Sequence, residues 1–241
     1  MCGRYARTQG ADDIFSAFDL QSKEIDHSLP LNWNIAPTNE IYIIRGQRSL
    51  ATASWGLIAP WMSDIAAARA SQSHAINARS ESIHEKPTFR SAFKSRRCLI
   101  PATGYYEWAT ELGAYKPKQP FYISNKDKSS IAIAGIYEQW INPQTSSAIT
   151  TAAIITREVV GILKPIHHRM PVILPKSLWN SWLSNKSLSP QEVDEYLKMI
   201  DLESADAGLT FWPVADEVNN ARNTGAQLAA QIELSPSQTL F

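Results

Sequence analysis

SIAIAGIYEQW, residues 130–140, is apolar in both alternating registers: Ile131 and Ile133 in one, Ala132, Ala134 and Ile136 in the other. A strand that must be buried on both faces belongs in the middle of a sheet rather than at its edge. Working outward from it, similar runs precede it at EIYIIRG from Glu40, ATASWGL from Ala51, RCLIPA from Arg97 and QPFYIS from Gln119. AITTAAIIT from Ala148 and MPVILP from Met170 follow it. These runs carry the β-branched and aromatic residues that pack on a pleated surface. Trp55 in such a run reads as core, and so does Cys98.

Helices are signposted at fewer places. Ser189-Pro190-Gln191-Glu192 places a cap, a proline in the first turn and a glutamate that can return a hydrogen bond to the cap. SLWNSWL from Ser177 puts Leu178, Trp179, Trp182 and Leu183 on one helical stripe, and ADDIFSAFDL from Ala11 opens with the acids that suit a helix N-terminus. Strands with unevenly spaced helices lack the alternation of a doubly wound sheet. The expectation is a single α+β domain over residues 1–241, with a mixed, mainly antiparallel, barrel-like sheet and peripheral helices. The last ~10 residues are expected to form a loose tail.

Composition narrows the class. The chain has 241 residues, 44% of them hydrophobic and 19% charged, which excludes wholesale disorder. No run approaches the ~20 apolar residues of a membrane span. The start, MCGRYARTQG, lacks the basic-then-apolar block of a signal peptide, and two cysteines suit a reducing compartment, so a cytoplasmic monomer is expected. With 23 basic and 23 acidic residues the net charge is zero, which argues against a protein that coats nucleic acid by bulk electrostatics. The charge is nevertheless uneven. Residues 79–97 hold six basic residues against two acids, and residues 187–220 hold eight acids against Lys198 alone. Either run reads first as a solvated face.

Several residues carry chemistry. Cys2, once Met1 is removed, would present an α-amine and a thiol on one residue: the amine condenses with an aldehyde, and the thiol closes on the imine carbon to give a thiazolidine. An α-amine with a pKa of about 7.7–8.0 is partly unprotonated near neutrality. Glu107, set among Tyr105, Tyr106 and Trp108, has surroundings that raise a carboxyl pKa and suit proton transfer. His167 and His168 precede a strand, where one can act near neutral pH. On a strand the two would point to opposite sides. Asn77-Ala78-Arg79 and Asn34-Ile35-Ala36-Pro37-Thr38 are polar clusters in segments too irregular for core strands. Trp61 and Trp108 can stack on unpaired bases while Arg4 and Arg79 hold phosphates. Neither the cysteines nor the histidines show metal-ligand spacing, so no metal and no cofactor is expected.

In order along the chain stand MCGR, NIAPT, WGL, NARSE, RRCLIPATGYYEW, KQPFYI, AGIYE, H-x-R-M-P and a late VN. Together they resemble the SOS-response-associated peptidase family from Met1 to about Gln231. The resemblance implies a sensor of abasic sites in single-stranded DNA that crosslinks itself to them, with associated lyase and self-processing peptidase activities. Cys2 would be the nucleophile, Asn77 would orient it and the opened sugar, Glu107 would move protons, and His167 would help open the ring. Arg4, Asn34, Pro37, Trp61, Arg79, Trp108 and Thr156 fall where the family contacts DNA. Met62, where some members carry a second aromatic, and His168, where some carry Asp, depart from the pattern. An N-terminal-nucleophile hydrolase acting on peptides or amides uses the same three groups, Cys2, Glu107 and His167, and stays open on the chemistry alone. A noncovalent single-strand binder leaves Cys2 unexplained.

Overall fold

Residues 130–140 do lie at the centre. The computed structural model describes residues 2–110, 115–184, 186–201, 206 and 208–234. The chain first forms β1 (Arg4–Arg7), α1 (Ala11–Ala17), β2 (Ser22–Glu24), β3 (Asn32–Ile35), β4 (Glu40–Arg45), β5 (Ser49–Trp55), α2 (Ile65–His74), β6 (Asn77–Arg79) and α3 (Pro87–Ser95). There follow β7 (Arg97–Ala102), β8 (Gly104–Trp108), β9 (Pro120–Asn125), β10 (Ile131–Ile141), β11 (Ala148–Glu158), β12 (Arg169–Pro171), α4 (Trp179–Trp182), α5 (Pro190–Ile200) and β13 (Leu209–Pro213).

Strand β10 is hydrogen-bonded on both sides, to β7 and to β11. The ladder runs β11-β10-β7-β4-β5, and β5 then pairs in parallel with β11 through Thr151–Ser54 and Ala152–Trp55, closing a five-stranded mixed barrel. Closure leaves no free edge among these strands. The side chains obey the period of two. Ile41, Ile43, Ala51, Ala53, Trp55, Ile100, Ile133 and Ile154 share one core cluster with Cys2 and with Tyr5, Tyr105 and Ile123 from the second sheet. The other parity, including Tyr42, Ile44, Leu99, Ala134 and Ile155, is covered by α1, α3, α4 and α5. The second sheet has the order β13-β9-β8-β1-β3 and sets the start of the chain in its interior.

The α5 cap forms as its sequence predicts: Ser189 N–H donates to the Glu192 carboxylate at 2.8 Å, and Glu192 N–H donates to Ser189 Oγ at 3.3 Å. Three expectations need correction. The SLWNSWL stripe makes only a 3-10 turn and the four-residue α4, although Trp179 and Trp182 are buried as expected. Asn77-Ala78-Arg79 is a strand after all, β6 in parallel beside β11, and Asn34 and Ile35 of the other cluster end β3 beside β1, whereas Ala36–Thr38 lie outside any strand. Three or four residues are too few to show a period, and β6 takes its ladder from β11. Helix α2 carries no strong sequence signal, since it is mostly alanine and polar residues, whereas α3, not among the expected helices, opens on Pro87 and buries Ala92 and Phe93. The expected C-terminal tail falls largely outside the described residues.

The basic run does not form one face. Arg97 is buried and donates to the carbonyls of Trp182, Phe93, Lys94, Ser184 and Lys186, fastening α3 and the chain after α4 to β7. Arg96 pairs with buried Glu138 at 2.7 Å. Gly104 opens β8 under tight constraint, because a Cβ there would stand 2.4–2.6 Å from the Tyr122 ring and the Ile123 carbonyl. Gly104→Ala is expected to lower stability by about 2–3 kcal/mol in urea unfolding; an unchanged midpoint would show that β9 yields without cost.

Candidate active site at the start of the chain

Strand β1 runs antiparallel to β8, with Arg4 opposite Tyr106, Tyr5 opposite Tyr105 and Ala6 opposite Gly104. Glu107 is one residue beyond Tyr106, so it lies beside the segment that leads from Cys2 into β1. On β8, Tyr105 shares the barrel-side cluster with Cys2, whereas Tyr106 packs on the far side of the sheet with partly buried Trp108. By alternation Glu107 falls on the Tyr105 side. Cys2 is fully buried and Glu107 is 3% exposed.

Two other elements complete the site. Asn77, on β6, donates from Nδ2 to the Cys2 carbonyl at 2.8 Å. The parallel β6–β11 ladder fixes that residue opposite Ile154. His167 lies just before β12, with Nε2 4.0 Å from Glu107 Oε2. Its Nδ1 stands 2.9 Å from the Arg169 backbone nitrogen and 3.2 Å from the Arg169 carbonyl oxygen, which holds the ring from that side while Nε2 faces Glu107. His167 and His168 stack with centroids 4.3 Å apart rather than pointing to opposite sides, because they precede the strand. Arg169 is held by two hydrogen bonds to Glu81, at 2.5 and 3.0 Å, and by one to the Thr156 carbonyl at 2.8 Å.

Burial orders the protonation states. It raises Glu107 to about 7, against the opposing charge of the amino terminus. It lowers His167 to about 4, with the amino terminus and His168 adding to the effect. Burial also pushes the Cys2 thiol well up, and the Glu107 charge adds to that. Near pH 6 the site therefore holds a neutral carboxyl, a neutral imidazole and a thiol. That combination can donate, accept and pass protons next to a nucleophile.

The predicted catalytic set, Cys2, Asn77, Glu107 and His167, thus converges. The predicted DNA contacts divide. Arg4 donates to Asn34 Oδ1 and the Val218 carbonyl, both at 3.0 Å, and to the Asn219 carbonyl at 3.4 Å. Asn34, itself buried, donates to the carbonyls of Asn220 and Asn223 at 3.0 Å, and Trp108 Nε1 donates to Asn219 Oδ1 at 2.6 Å. These three residues bind the 218–223 segment to the edge of the site. Arg79 is exposed, Trp61 is 58% exposed and Pro37 is half-buried. Thr156 is fully buried on β11, 3.4 Å from an Arg169 nitrogen through its hydroxyl. Met62 packs into a small cluster with Ile58, Ala68 and Trp140. Glu81 and Arg169 stand in the NARSE and H-x-R-M-P motifs, but their pairing spans 88 positions and no local pattern encodes it. Among the described residues no group of His, Cys, Asp and Glu is arranged to hold a metal, and no helix is long and apolar enough to cross a membrane.

This α+β barrel with a buried Cys–Glu–His–Asn cluster defines a recognisable class. The family model for the SOS response associated peptidase (SRAP) matches residues 1–221, and the chain belongs to that family. It is 36% identical over 231 residues to the abasic site processing protein YoaM of Bacillus subtilis, covering 95% of this chain and 97% of that one. The abasic site processing protein HMCES of Xenopus tropicalis is 26% identical, over 98% of this chain and 79% of its own. A crystal structure of a protein from Bacteroides thetaiotaomicron superposes with a TM-score of 0.81 at 26% identity, covering 96% of this chain and all of that one.

Stability should report the site directly. Between pH 4.5 and about 7 the folded protein keeps a Glu107 proton that the unfolded chain has released, so this group's contribution falls as pH rises. His167, lowered from 6.5 to about 4, acts with the opposite sign in the overlapping window. Glu107→Gln removes the first effect alone. Its stability relative to wild type is expected to climb from pH 4.5 to 7, by at most about 3 kcal/mol. A pH-independent difference would place the raised pKa elsewhere.

Proposed function

We propose that this protein processes abasic sites in single-stranded DNA by capturing them covalently at Cys2. The observation that carries this reading is the junction of β1 and β8, where Cys2 meets a carboxyl held near neutral pKa and has its carbonyl fixed by Asn77. While Met1 is attached, the Cys2 nitrogen is an amide and cannot attack a carbonyl. Hydrolysis of the Met1–Cys2 bond frees the amine, with Glu107 as the acid/base group for that step.

The ring-opened abasic sugar presents an aldehyde. The Cys2 amine adds to it, the carbinolamine loses water, and the resulting imine is attacked by the thiol while the thiol proton passes to the imine nitrogen. The product is a thiazolidine. Glu107 accepts and returns protons along this path, and His167 can donate to the sugar oxygen released on ring opening. Without the thiol the imine would remain an electron sink and favour β-elimination, which accounts for a lyase side activity. Ring closure removes that sink and shields the strand.

Exposed Arg79 and Trp61 supply a cation and a stacking surface. Arg4 and Trp108 are tied to the 218–223 segment beside β1 and β8. The names of the relatives agree with abasic-site processing, and the protein is read as a DNA-damage factor that works as a monomer in the cytoplasm.

Met1-processed protein incubated with single-stranded DNA carrying an abasic site should give a heat-stable shifted band on a denaturing gel, and Cys2→Ala should not. Absence of the band, or its persistence in Cys2→Ala, would refute the mechanism; turnover of peptide or amide substrates without abasic-DNA affinity would favour a plain hydrolase. Arg79→Ala is expected to weaken binding to any single strand and to reduce the slope of log affinity against log salt by about one unit, read by fluorescence anisotropy. An unaltered slope would remove Arg79 from the strand path.

A further inference from the structure

Three buried donors around the site stand out. The hydroxyls of Tyr5 and Tyr105 and the Nε–H of Arg169 are each out of contact with solvent and without a hydrogen-bond acceptor. Buried polar groups are rarely left so, and a cluster of them beside a reactive carboxyl calls for a partner. Arg169 is the clearest case. Each of its two terminal nitrogens has a partner in Glu81 or Thr156, whereas Nε–H has none. The Tyr105 hydroxyl is a donor throughout the working range, since burial raises its pKa, with Cys2 and Glu107 adding to the rise.

Tyr105 and Arg169 also line one small cavity, together with Glu107, His167, Ile123, Leu163 and Ile166. Tyr5 does not line it, although it is equally buried and sits opposite Tyr105 in the sheet. The cavity is of the size that takes about one water, and Tyr105, Glu107, His167 and Arg169 bring polar groups into an otherwise apolar lining.

We propose that Tyr105 is a positioning residue which, with Arg169, fixes a water in this cavity against Glu107. The water accepts from Tyr105 Oη–H and Arg169 Nε–H and donates one proton to a Glu107 carboxylate oxygen. Two donors with no acceptor thereby gain one, and the ionised form of Glu107 gains one further hydrogen bond beside that from the Trp108 backbone. The water thus limits how far burial raises the carboxyl, and keeps Glu107 able both to take up and to release a proton near neutrality. No bond is made or broken in this arrangement. Its importance for catalysis rests on the proposed role of Glu107, but its existence does not.

The test is a carboxyl-carbon NMR titration of Glu107 in the full chain without DNA, in wild type, Tyr105→Phe and Tyr5→Phe. Each substitution removes a single oxygen, and thermal unfolding checks that each variant is folded. Tyr105→Phe is expected to raise the Glu107 midpoint by about one pH unit, because the ionised form loses a fixed donor, while Tyr5→Phe titrates like wild type. An unchanged midpoint in Tyr105→Phe, or an equal rise in both variants, overturns the proposal. A crystal structure supplies the second reading: density for a water within hydrogen-bond distance of Tyr105 Oη, Arg169 Nε and Glu107 supports it, and a dry cavity contradicts it. Because no DNA is involved, failure here is distinguishable from failure of abasic-site capture. If capture does occur, its pH–rate profile should move upward with the same midpoint in Tyr105→Phe alone.

Discussion

The antiparallel register of β1 on β8 is the constraint on which the rest depends. Pairing Tyr5 with Tyr105 sets the residues just before β1 beside Glu107, and a one-residue slip would exchange the core-facing and outward-facing side chains along both strands. The register is held from both sides. Tyr105 and Ile123 lock β8 to β9 inside the shared core, and Tyr106 packs on Tyr122 on the outer face with its hydroxyl donating to the Trp33 carbonyl at 2.8 Å. Barrel closure adds the third side of the site, because β11 carries both β6 with Asn77 and β12, which follows His167.

From that register the electrostatics follow. A carboxyl and an imidazole are buried together 4.0 Å apart, and burial drives them in opposite directions, toward about 7 and about 4. Both groups are thereby neutral over a window in which they would ordinarily form an ion pair. A neutral pair avoids most of the desolvation cost of two buried charges and leaves a donor on each group. Glu81, although partly exposed, supports this at a distance by holding Arg169, whose backbone contacts His167 Nδ1.

Much of this was legible in the sequence where a residue pattern is strong enough to stand alone. The doubly apolar run of β10, the Ser189–Glu192 cap and the aromatic surroundings of Glu107 each carry their own signal. The short strands β3 and β6 do not, since their pairing is supplied by β1 and β11 rather than by their own composition. Helix α2, built mostly of alanine and polar residues, has no amphipathic stripe to read. The charge sum was misleading in a different way. Residues 79–97 look basic as a block, but Arg97 is spent on carbonyls inside the fold and Arg96 on Glu138, while Arg79 stays exposed. Similarly, Asn34 and Arg4, expected at a DNA surface, engage the 218–223 segment, a contact about 200 positions away that no local pattern encodes.

The central claim is that one residue supplies both nucleophiles. Mass analysis of the tryptic peptide at the start of the chain, after reaction with an abasic single strand, tests it most directly. The account predicts a peptide that begins at Cys2, has lost Met1 and carries the sugar remnant through both its amine and its sulfur, so that the sulfur resists alkylation. An adduct on any other residue, or a modified peptide whose thiol still alkylates, would contradict it.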